Sequence, residues 1–290
     1  LPQCGFDMQL PRSSRLLLLF ALLGLVLGLG GRSSVAGQDE PDYDQQARAL
    51  FESLSPAERV GQLFLVTFQG DQVNDRSNIA DLIANYHVGG VILRSENDNF
   101  TGYGEPANTM EQTWDLTNAL QRLALTGELT VAPVEGLDAD AVPPALAPSV
   151  PLNPVPLLIA TMNDGDSTGS TNQVGGFTAL PANMAIGATW NPDYSREMGQ
   201  IAGLELAGTG INLLLGPAVD VLERPSPLRD GDLGTSSFGG DPFWVGRMGK
   251  AYTEGVHLGS NGRVAVVSSS FPGKGSSDRS VYEEVPTVRK

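Results

Sequence analysis

Apolar residues in this chain form short continuous runs, separated by longer stretches in which they recur every three or four positions. Five runs have the length and continuity of a buried strand. In chain order these runs are Gln62–Phe68, Val88–Arg94, Pro156–Met162, Asn212–Val221 and Arg263–Val267. Because helical stretches separate them, the pattern predicts an α/β protein with a parallel sheet buried on both faces.

Start signals mark several of the predicted helices. Ser55, Pro56 and Glu58 supply an N-cap, a first-turn proline and a capping-box glutamate ahead of the first strand. Asn191 and Asp241, each followed by proline, give the same kind of signal later in the chain. These two signals precede the helical segments Asp193–Leu206 and Pro242 to about His257. Two further segments with helical spacing are Ile79–Tyr86 and Glu111–Leu125.

Two architectures fit five strands separated by helices. A doubly wound sheet would be complete with five strands and would suit a small binding protein, whereas a (β/α)8 TIM-barrel type would be incomplete, with about the first five strand-helix units. No Gly-x-Gly-x-x-Gly follows the first strand, and Gly273–Ser276 lacks the earlier glycine of a phosphate loop. The sequence therefore predicts no nucleotide cofactor, which favours the barrel.

Residues 1–36 have the pattern of an export signal. Arg12 and Arg15 precede the apolar run Leu16–Gly31, and small residues at Ser34–Ala36 offer a cleavage site. The run is shorter than the roughly 20 residues of a spanning helix, so it predicts a signal peptide or a retained signal anchor, with the residues before Met8 as an upstream extension. We expect an exported protein, either secreted or anchored outside the cytoplasm.

The sequence after the signal divides into two further parts. Residues 37–54 are predicted to be a polar lead-in and the start of the first helix. Residues 55–290 contain the five predicted strands and the helices between them, and they are predicted to be a partial barrel domain.

Composition excludes several classes of function. The 290 residues contain 33 acidic against 18 basic side chains, a formal net charge of -15, which repels nucleic acid and anionic membranes. The one cysteine, Cys4, lies in the predicted signal, and the two histidines, His87 and His257, are far apart in sequence. We therefore expect no disulfide, no metal, no cofactor and no Ser-His-Asp triad.

Polar residues follow three of the predicted strands, where parallel α/β folds bind their ligands. Asp164 lies in a turn that could instead cap its own backbone, and a calcium loop is not predicted because its twelfth position is Gly175. Asp220 ends an apolar run, so its carboxylate needs a sugar hydroxyl or a backbone amide as partner. Lys274 and Asp278 lie in a hydroxyl- and glycine-rich loop that could also be a solvated connector.

Six motifs follow one another along the chain: Glu58–Phe64, Tyr86–Leu93, Leu180–Thr189, Asn212–Asp220, Ser237–Pro242 and Phe271–Gly275. In this order they resemble the amino-terminal barrel domain of glycoside hydrolase family 3, in particular its β-N-acetylhexosaminidase branch. The resemblance implies a barrel enzyme that hydrolyses β-linked sugars with retention, through a covalent intermediate on an aspartate and with a second catalytic group nearby. Its partner would be a β-linked oligosaccharide or glycoside.

Several positions depart from the family's pattern. Met162 replaces the expected aspartate after the third strand, although Asp164 falls on the family's glutamate, and Ser236 replaces an arginine. Ser269 and Ser270 replace a Lys-His pair, Lys274 replaces a histidine, and Asp278 is the first acid of a loop that lacks the branch's histidine.

The resemblance assigns the nucleophile to a later strand, past Lys290, so no catalytic residue is expected within this sequence. The substrate-binding candidates are Asp164, Asp220, Lys274 and Asp278. We expect the chain by itself not to hydrolyse a glycoside, whether it is part of a working exported β-N-acetylhexosaminidase or β-glucosidase or, as the alternative, a non-catalytic carbohydrate-binding relative.

Overall fold

The computed structural model describes residues 42–101, 108–129, 154–163, 176–222, 234–269 and Gly273. The chain divides into two compact units, Leu1–Ala49 and Leu50–Lys290. Residues 42–49 are the described part of the first unit, and they contain most of helix α1, Tyr43–Ser53. The sheet lies entirely in the second unit.

Strands and helices alternate through the second unit. The strands are β1 (Leu65–Val66), β2 (Gly90–Ile92), β3 (Leu158–Thr161), β4 (Leu213–Ala218) and β5 (Ala265–Ser269). The helices are α2 (Pro56–Gly61), α3 (Asn78–Ala84), α4 (Thr109–Thr126), α5 (Asn183–Gly187), α6 (Pro192–Gly208) and α7 (Pro242–Gly259). Two short 3-10 turns, Ser95–Asn97 and Gly234–Ser236, follow β2 and β4.

The five described strands form one parallel sheet in the order β1-β2-β3-β4-β5. A doubly wound sheet reverses its strand order at a switch point, and these five strands show no reversal. Sequential order is the winding of a (β/α)8 barrel. The barrel-type prediction is therefore confirmed, with five strands and the helices between them described, and the doubly wound alternative is wrong.

The predicted helix starts are confirmed by their hydrogen bonds. The Ser55 hydroxyl accepts a bond from the Glu58 backbone N–H at 3.3 Å, while the Ser55 N–H donates to the Glu58 carboxylate at 2.7 Å. The Asn191 side chain accepts from the Asp193 N–H at 3.0 Å, and Asp241 accepts from the Trp244 N–H at 3.0 Å. Local cap chemistry thus positions α2, α6 and α7.

The first four strands are shorter than their predicted runs, most of all β1, which is two residues of Gln62–Phe68. Strand β5 has the length of its predicted run, Arg263–Val267, but begins two residues later. Val91, Ile159 and Leu214 face the helices and are fully buried. On the other face, where a closed barrel packs its interior layers, the exposed fractions are 41% for Leu65, 44% for Leu158 and 50% for Val267. Burial on both faces was therefore wrong for these positions, because five strands in this order form an open sheet.

Helix α1 lies in the segment predicted as a polar lead-in and the start of the first helix. It ends at Ser53, and α2 begins separately at Pro56. Within the described residues, no helix is both long and apolar enough to cross a membrane. The predicted export signal, residues 1–36, lies outside the described residues.

Candidate functional site

Asp220 lies two residues beyond β4, at the carboxyl edge of the sheet where a parallel α/β fold places its ligand site. The residue is 2% exposed, so the sequence correctly predicted a desolvated acid. Its backbone carbonyl accepts a hydrogen bond from the Ser237 hydroxyl at 3.0 Å. This bond fastens the end of β4 to the turn that precedes α7.

The same turn is bonded to the segment that follows β3. Asn183, which begins α5 and is fully buried, donates from Nδ2 to the carbonyl oxygen of Ser236 at 2.8 Å. Gly187 packs so closely on Phe238 that a Cβ at 187 would overlap the Phe238 carbonyl oxygen. Three of the six motifs, separated by up to 53 residues, therefore meet around Asp220.

Two serines in this turn bring little charge to the site. Ser237 also exchanges bonds with Gly239, donating to its carbonyl and accepting from its N–H, both at 3.2 Å. The Leu222 N–H donates to the Gly239 carbonyl at 3.0 Å. At Ser236, where the resemblance expects an arginine, the contribution described is a backbone carbonyl, so the turn is held by neutral hydrogen bonds.

A second cluster joins the loops after β1 and β2. Asn99 is fully buried, accepts a bond from the Arg94 N–H at 2.9 Å, and donates to the carbonyls of Phe68 at 3.1 Å and Gly70 at 2.8 Å. Gln69 donates to the Asp98 carboxylate at 2.7 Å. Asn99 thus fixes the carboxyl ends of both strands relative to one another.

Arg94 is the cation at the carboxyl edge of β2. Its Nη2 pairs with the Glu96 carboxylate at 3.3 Å, whereas its buried Nε has no hydrogen-bond partner among the described residues. The Asn183 Oδ1 is a buried acceptor that likewise has no hydrogen-bond partner among the described residues. The site edge therefore contains one donor and one acceptor that the described residues leave unused.

Two cavities lie near β1. One, of about 450 Å³, is at the carboxyl edge, where Thr67, Gln69 and Ser77 line it together with Phe68, Arg76, Asn78 and Leu82. The other, of about 490 Å³, is lined largely by apolar residues such as Val60 and Phe64 near the amino ends of β1 and β2. Because ligands of parallel α/β folds bind at the carboxyl ends, we associate the first cavity with the candidate site.

The remaining predicted binding residues, Asp164, Lys274 and Asp278, lie outside the described residues. Met162, at the position where the family has an aspartate, directly follows β3. The described residues contain no group of three or more His, Cys, Asp or Glu side chains that could hold a metal ion, and the absence of metal and cofactor stays a prediction.

The two histidines were predicted to be structural. His87 precedes β2 at the amino end of the sheet, and its carbonyl accepts a bond from the Gln62 side chain at 2.9 Å. His257 lies in the last turn of α7. Both histidines therefore lie away from the carboxyl edge of the sheet, which is consistent with a structural role.

Sequence reasoning did not single out Asn183, Asn99 or Arg94. Asn183 lies inside the quoted motif Leu180–Thr189, so its place in the motif was the available signal. Arg94 ended the predicted second strand, and a charged residue at a strand's carboxyl end could have been noted.

Comparison with known proteins agrees with this geometry. Residues 147–290 match the family profile described as "Glycosyl hydrolase family 3 N terminal domain". This part of the chain belongs to glycosyl hydrolase family 3. The match contains β3, α5, β4 and the turn around Ser237, which are the elements that meet at Asp220. The resemblance inferred from the sequence motifs is confirmed.

Relatives extend the similarity over most of the described strands. Beta-hexosaminidase LpqI of Mycobacterium tuberculosis is 25% identical over 222 residues, which cover 77% of this chain and 44% of the relative. Probable beta-glucosidase E of Emericella nidulans is 37% identical over 90 residues, 31% of this chain and 8% of that protein. The chain thus spans less than half the length of these relatives.

Solved structures show the same architecture. A family 3 beta-N-acetylglucosaminidase from Paenibacillus superposes with a TM-score of 0.60 and 28% identity, covering 81% of this chain and 36% of that one. A beta-N-acetylhexosaminidase from Beutenbergia cavernae gives 0.58 and 27%, covering 78% of this chain and 56% of that one. The family match and the names of these relatives support glycoside hydrolysis at the level of the family.

Proposed function

We propose that this chain supplies part of the sugar-binding site of a retaining glycoside hydrolase that acts on β-linked N-acetylhexosaminides. The observation that carries the proposal is the meeting of the loops after β3 and β4 at Asp220. These loops lie within the family match. The Mycobacterium tuberculosis relative is named as a hexosaminidase, and the Paenibacillus structure as an acetylglucosaminidase.

Asp220 is assigned a binding role, either through a sugar hydroxyl or by positioning the turn that contacts the sugar. Sugar hydroxyls are hydrogen-bond donors that a carboxylate can accept, and Asp220 lies at the carboxyl edge of the sheet, where parallel α/β folds bind their ligands. Asp164, Lys274 and Asp278 are proposed to line the same site because they follow β3 and β5 in sequence.

A binding experiment tests this assignment. The full chain is titrated calorimetrically with a hydrolysis-resistant thioglycoside analogue of a β-N-acetylglucosaminide. We expect saturable binding that Asp220→Asn weakens about tenfold or more, since a hydrogen bond to a charged group is worth roughly 1.5–3 kcal/mol. Asp115→Asn, which changes an exposed acid on α4, is the matched control and should bind normally.

The comparison requires that Asp220→Asn is folded, which circular dichroism measures. Asp220→Glu is a second variant that keeps the negative charge. Absence of binding by the unmodified chain, or equal affinities for Asp220→Asn and Asp115→Asn, would contradict the proposal.

Hydrolysis is proposed for a protein that includes a later strand with the nucleophile, and not for this chain by itself. Chromogenic β-N-acetylglucosaminide and β-glucoside are the substrates to use. We expect no turnover by the 290-residue chain, and turnover by a longer product if the gene encodes one. Turnover by the chain alone would overturn the assignment of the nucleophile.

Met162 favours a second candidate, a non-catalytic carbohydrate-binding relative. Its thioether follows β3 at the position where the family's aspartate holds sugar hydroxyls, and a thioether is a weak acceptor. If a longer product contains the nucleophile aspartate, binds the thioglycoside and still turns over none of the glycosides, this second candidate is correct.

We also propose that the protein is exported through the segment Met8–Ala36, with secretion or membrane anchoring as the two outcomes. The support is its sequence pattern of basic, apolar and small residues. Amino-terminal sequencing of the mature protein distinguishes cleavage near Ala36 from a retained anchor, and cytoplasmic recovery of the uncleaved chain would contradict export.

A further inference from the structure

Three aromatic rings and one arginine form a cluster on the surface, here called the aromatic platform: Trp190, Phe243, Trp244 and Arg247. The Trp190 and Trp244 rings meet edge to face with centroids 5.3 Å apart, and those of Phe243 and Trp244 with centroids 5.6 Å apart. Trp190 is 57% exposed and Phe243 63% exposed, whereas Trp244 packs partly against the hydrophobic core. One anchored ring thus supports two rings that face solvent.

The platform lies at the same end of the sheet as Asp220. Trp190 immediately precedes the N-cap of α6, and Phe243 and Trp244 are in the first turn of α7. In a parallel α/β fold each helix begins at the carboxyl end of the strand before it. The platform therefore borders the carboxyl edge, although it is built from residues outside the candidate site.

The backbone of Trp190 is in a conformation that bulky residues rarely adopt. Its φ is +55°, in the left-handed region. Such conformations persist where the surroundings enforce them, and they concentrate at functional positions. Here the conformation places a large ring where it is more than half exposed, which burial does not explain.

Arg247 adds a hydrogen-bond donor beside the rings. Its guanidinium carbon is 5.8 Å from the Phe243 centroid and 5.7 Å from the Trp244 centroid. No ion pair of Arg247 is found in the described part of the chain. The platform therefore combines exposed aromatic rings with a guanidinium that lies over two of them and has no ion-pair partner among the described residues.

We propose that the aromatic platform binds a β-linked oligosaccharide, as a second carbohydrate site outside the candidate site around Asp220. The faces of aromatic rings are electronegative, and the axial C–H groups of a β-linked pyranose form an apolar, weakly positive face that stacks on them. The Arg247 guanidinium donates to a ring or hydroxyl oxygen at the edge of the sugar. An anionic membrane is a poorer occupant because the chain carries a formal charge of -15.

This proposal rests on the proposed function, which supplies the class of sugar. A second site that holds part of a long oligosaccharide suits a protein that acts on the same oligosaccharide. It differs in the ligand it requires. A monosaccharide analogue is expected to bind at the candidate site around Asp220, whereas stacking over two exposed rings requires several linked sugars.

The test is a titration of the full chain with a β-1,4-linked N-acetylglucosamine hexasaccharide, followed by tryptophan fluorescence and by equilibrium dialysis. Phe243→Ala and Trp190→Ala should each weaken hexasaccharide binding about three- to tenfold, the range expected for the loss of one aromatic contact. Arg247→Met should weaken it to a smaller extent. None of the three should change the affinity for the monosaccharide thioglycoside.

Trp114→Ala is the matched control, because Trp114 is 52% exposed on α4 and has no ring contact among the described residues. It should bind the hexasaccharide like the unmodified chain. Phe243→Ala removes an exposed ring, so its thermal unfolding should be unchanged, and it keeps the test valid if Trp190→Ala folds poorly.

Two results would overturn the proposal that the aromatic platform binds an oligosaccharide. The first is hexasaccharide affinity that is absent, or equal in Phe243→Ala, Arg247→Met and Trp114→Ala. The second is a sedimentation experiment in which Phe243→Ala dissociates a dimer while sugar binding is unaltered, which would identify the platform as a contact between copies. Loss of thioglycoside binding with intact hexasaccharide binding would instead contradict only the binding role proposed for the site around Asp220.

Discussion

Gly203 of α6 lies against the carbonyl oxygen of Val256 in α7, and a Cβ at position 203 would overlap that oxygen. Gly199 has the same relationship to Tyr252, and Gly255 and Gly259 of α7 pack in the same way on the backbone of α6. Both helices therefore carry a pair of glycines four residues apart on the face where they touch. This close approach buries Met198 and Val256 between the helices and the sheet.

Gly203→Ala is expected to destabilise the protein by about 1–3 kcal/mol, because the two backbones must separate to admit the methyl group. Gly208, in the same helix, has open space within 4 Å of the position that a Cβ would occupy, so Gly208→Ala is the control. That control should range from neutral to about 1 kcal/mol more stable. Urea denaturation of both variants measures the difference, and equal stabilities would show that the helices are not in close contact.

Asn212 joins β3 to β4 through its side chain. Its Oδ1 accepts from the Ile159 N–H at 2.7 Å, and its Nδ2 donates to the Leu157 carbonyl at 2.9 Å. Asn212→Asp keeps the shape but loses the donor, so we expect a loss of about 1–3 kcal/mol in the free energy of unfolding.

Gln121 provides an internal check, since its Nε2 donates to the same Leu157 carbonyl at 2.9 Å. The double variant of Asn212→Asp with Gln121→Met should lose more stability than the sum of the single variants, because each remaining donor partly compensates for the other. Strict additivity would indicate that the two side chains do not share this acceptor.

The helix starts were predictable because their signals act over three residues. Ser55, Asn191 and Asp241 each bond to a backbone N–H in the first turn that follows, and no distant residue is needed. Strand ends were less predictable. The run Gln62–Phe68 is apolar except at Gln62 and Thr67. Pairing with β2 is nevertheless confined to Leu65 and Val66, because pairing depends on the neighbouring strand.

The burial of Asp220 was predictable because the residue ends an apolar run, and its binding role stays a prediction. Asn183 and Asn99 were missed because their partners are distant in sequence. Asn183 bonds to a carbonyl 53 residues away, and Asn99 bonds to carbonyls 29 and 31 residues away. Neither partnership leaves a local pattern that a single sequence can show.

The capping box of α2 predicts a pH effect. The Ser55 backbone N–H donates to Glu58, and with the Ser55 side chain this lowers the pKa of the Glu58 carboxyl below its ordinary value of 4.5. A depressed pKa in the folded state means that the carboxylate stabilises the fold above the unfolded pKa, and that this contribution is lost as the pH falls through the folded pKa.

Glu58→Gln should therefore be less stable than the unmodified chain at neutral pH, and the difference should shrink as the pH falls to about 3. Glu52→Gln, an exposed change on α1, is the control and should show no such convergence. Denaturant titrations at the two pH values measure it, and a difference that grows on acidification would have the wrong sign for this cap.

Asn183 links stability to the candidate site, so its replacement should affect both. Asn183→Ala leaves the Ser236 carbonyl without the 2.8 Å bond, and we expect a loss of about 1–3 kcal/mol in the free energy of unfolding. Asn118→Ala removes a comparable bond, from Nδ2 to the Trp114 carbonyl at 2.7 Å, on the exposed side of α4, and should stay within about 0.5 kcal/mol.

The two variants should also separate in ligand binding. Because Asn183 holds the turn whose Ser237 hydroxyl bonds to Asp220, its loss should weaken thioglycoside binding under conditions where the variant is still fully folded. Asn118→Ala should bind normally. If Asn183→Ala loses stability but keeps full affinity, the hydrogen bond between α5 and the Ser236 carbonyl supports the fold without positioning the sugar, and the loops around Asp220 are held in place by their other contacts.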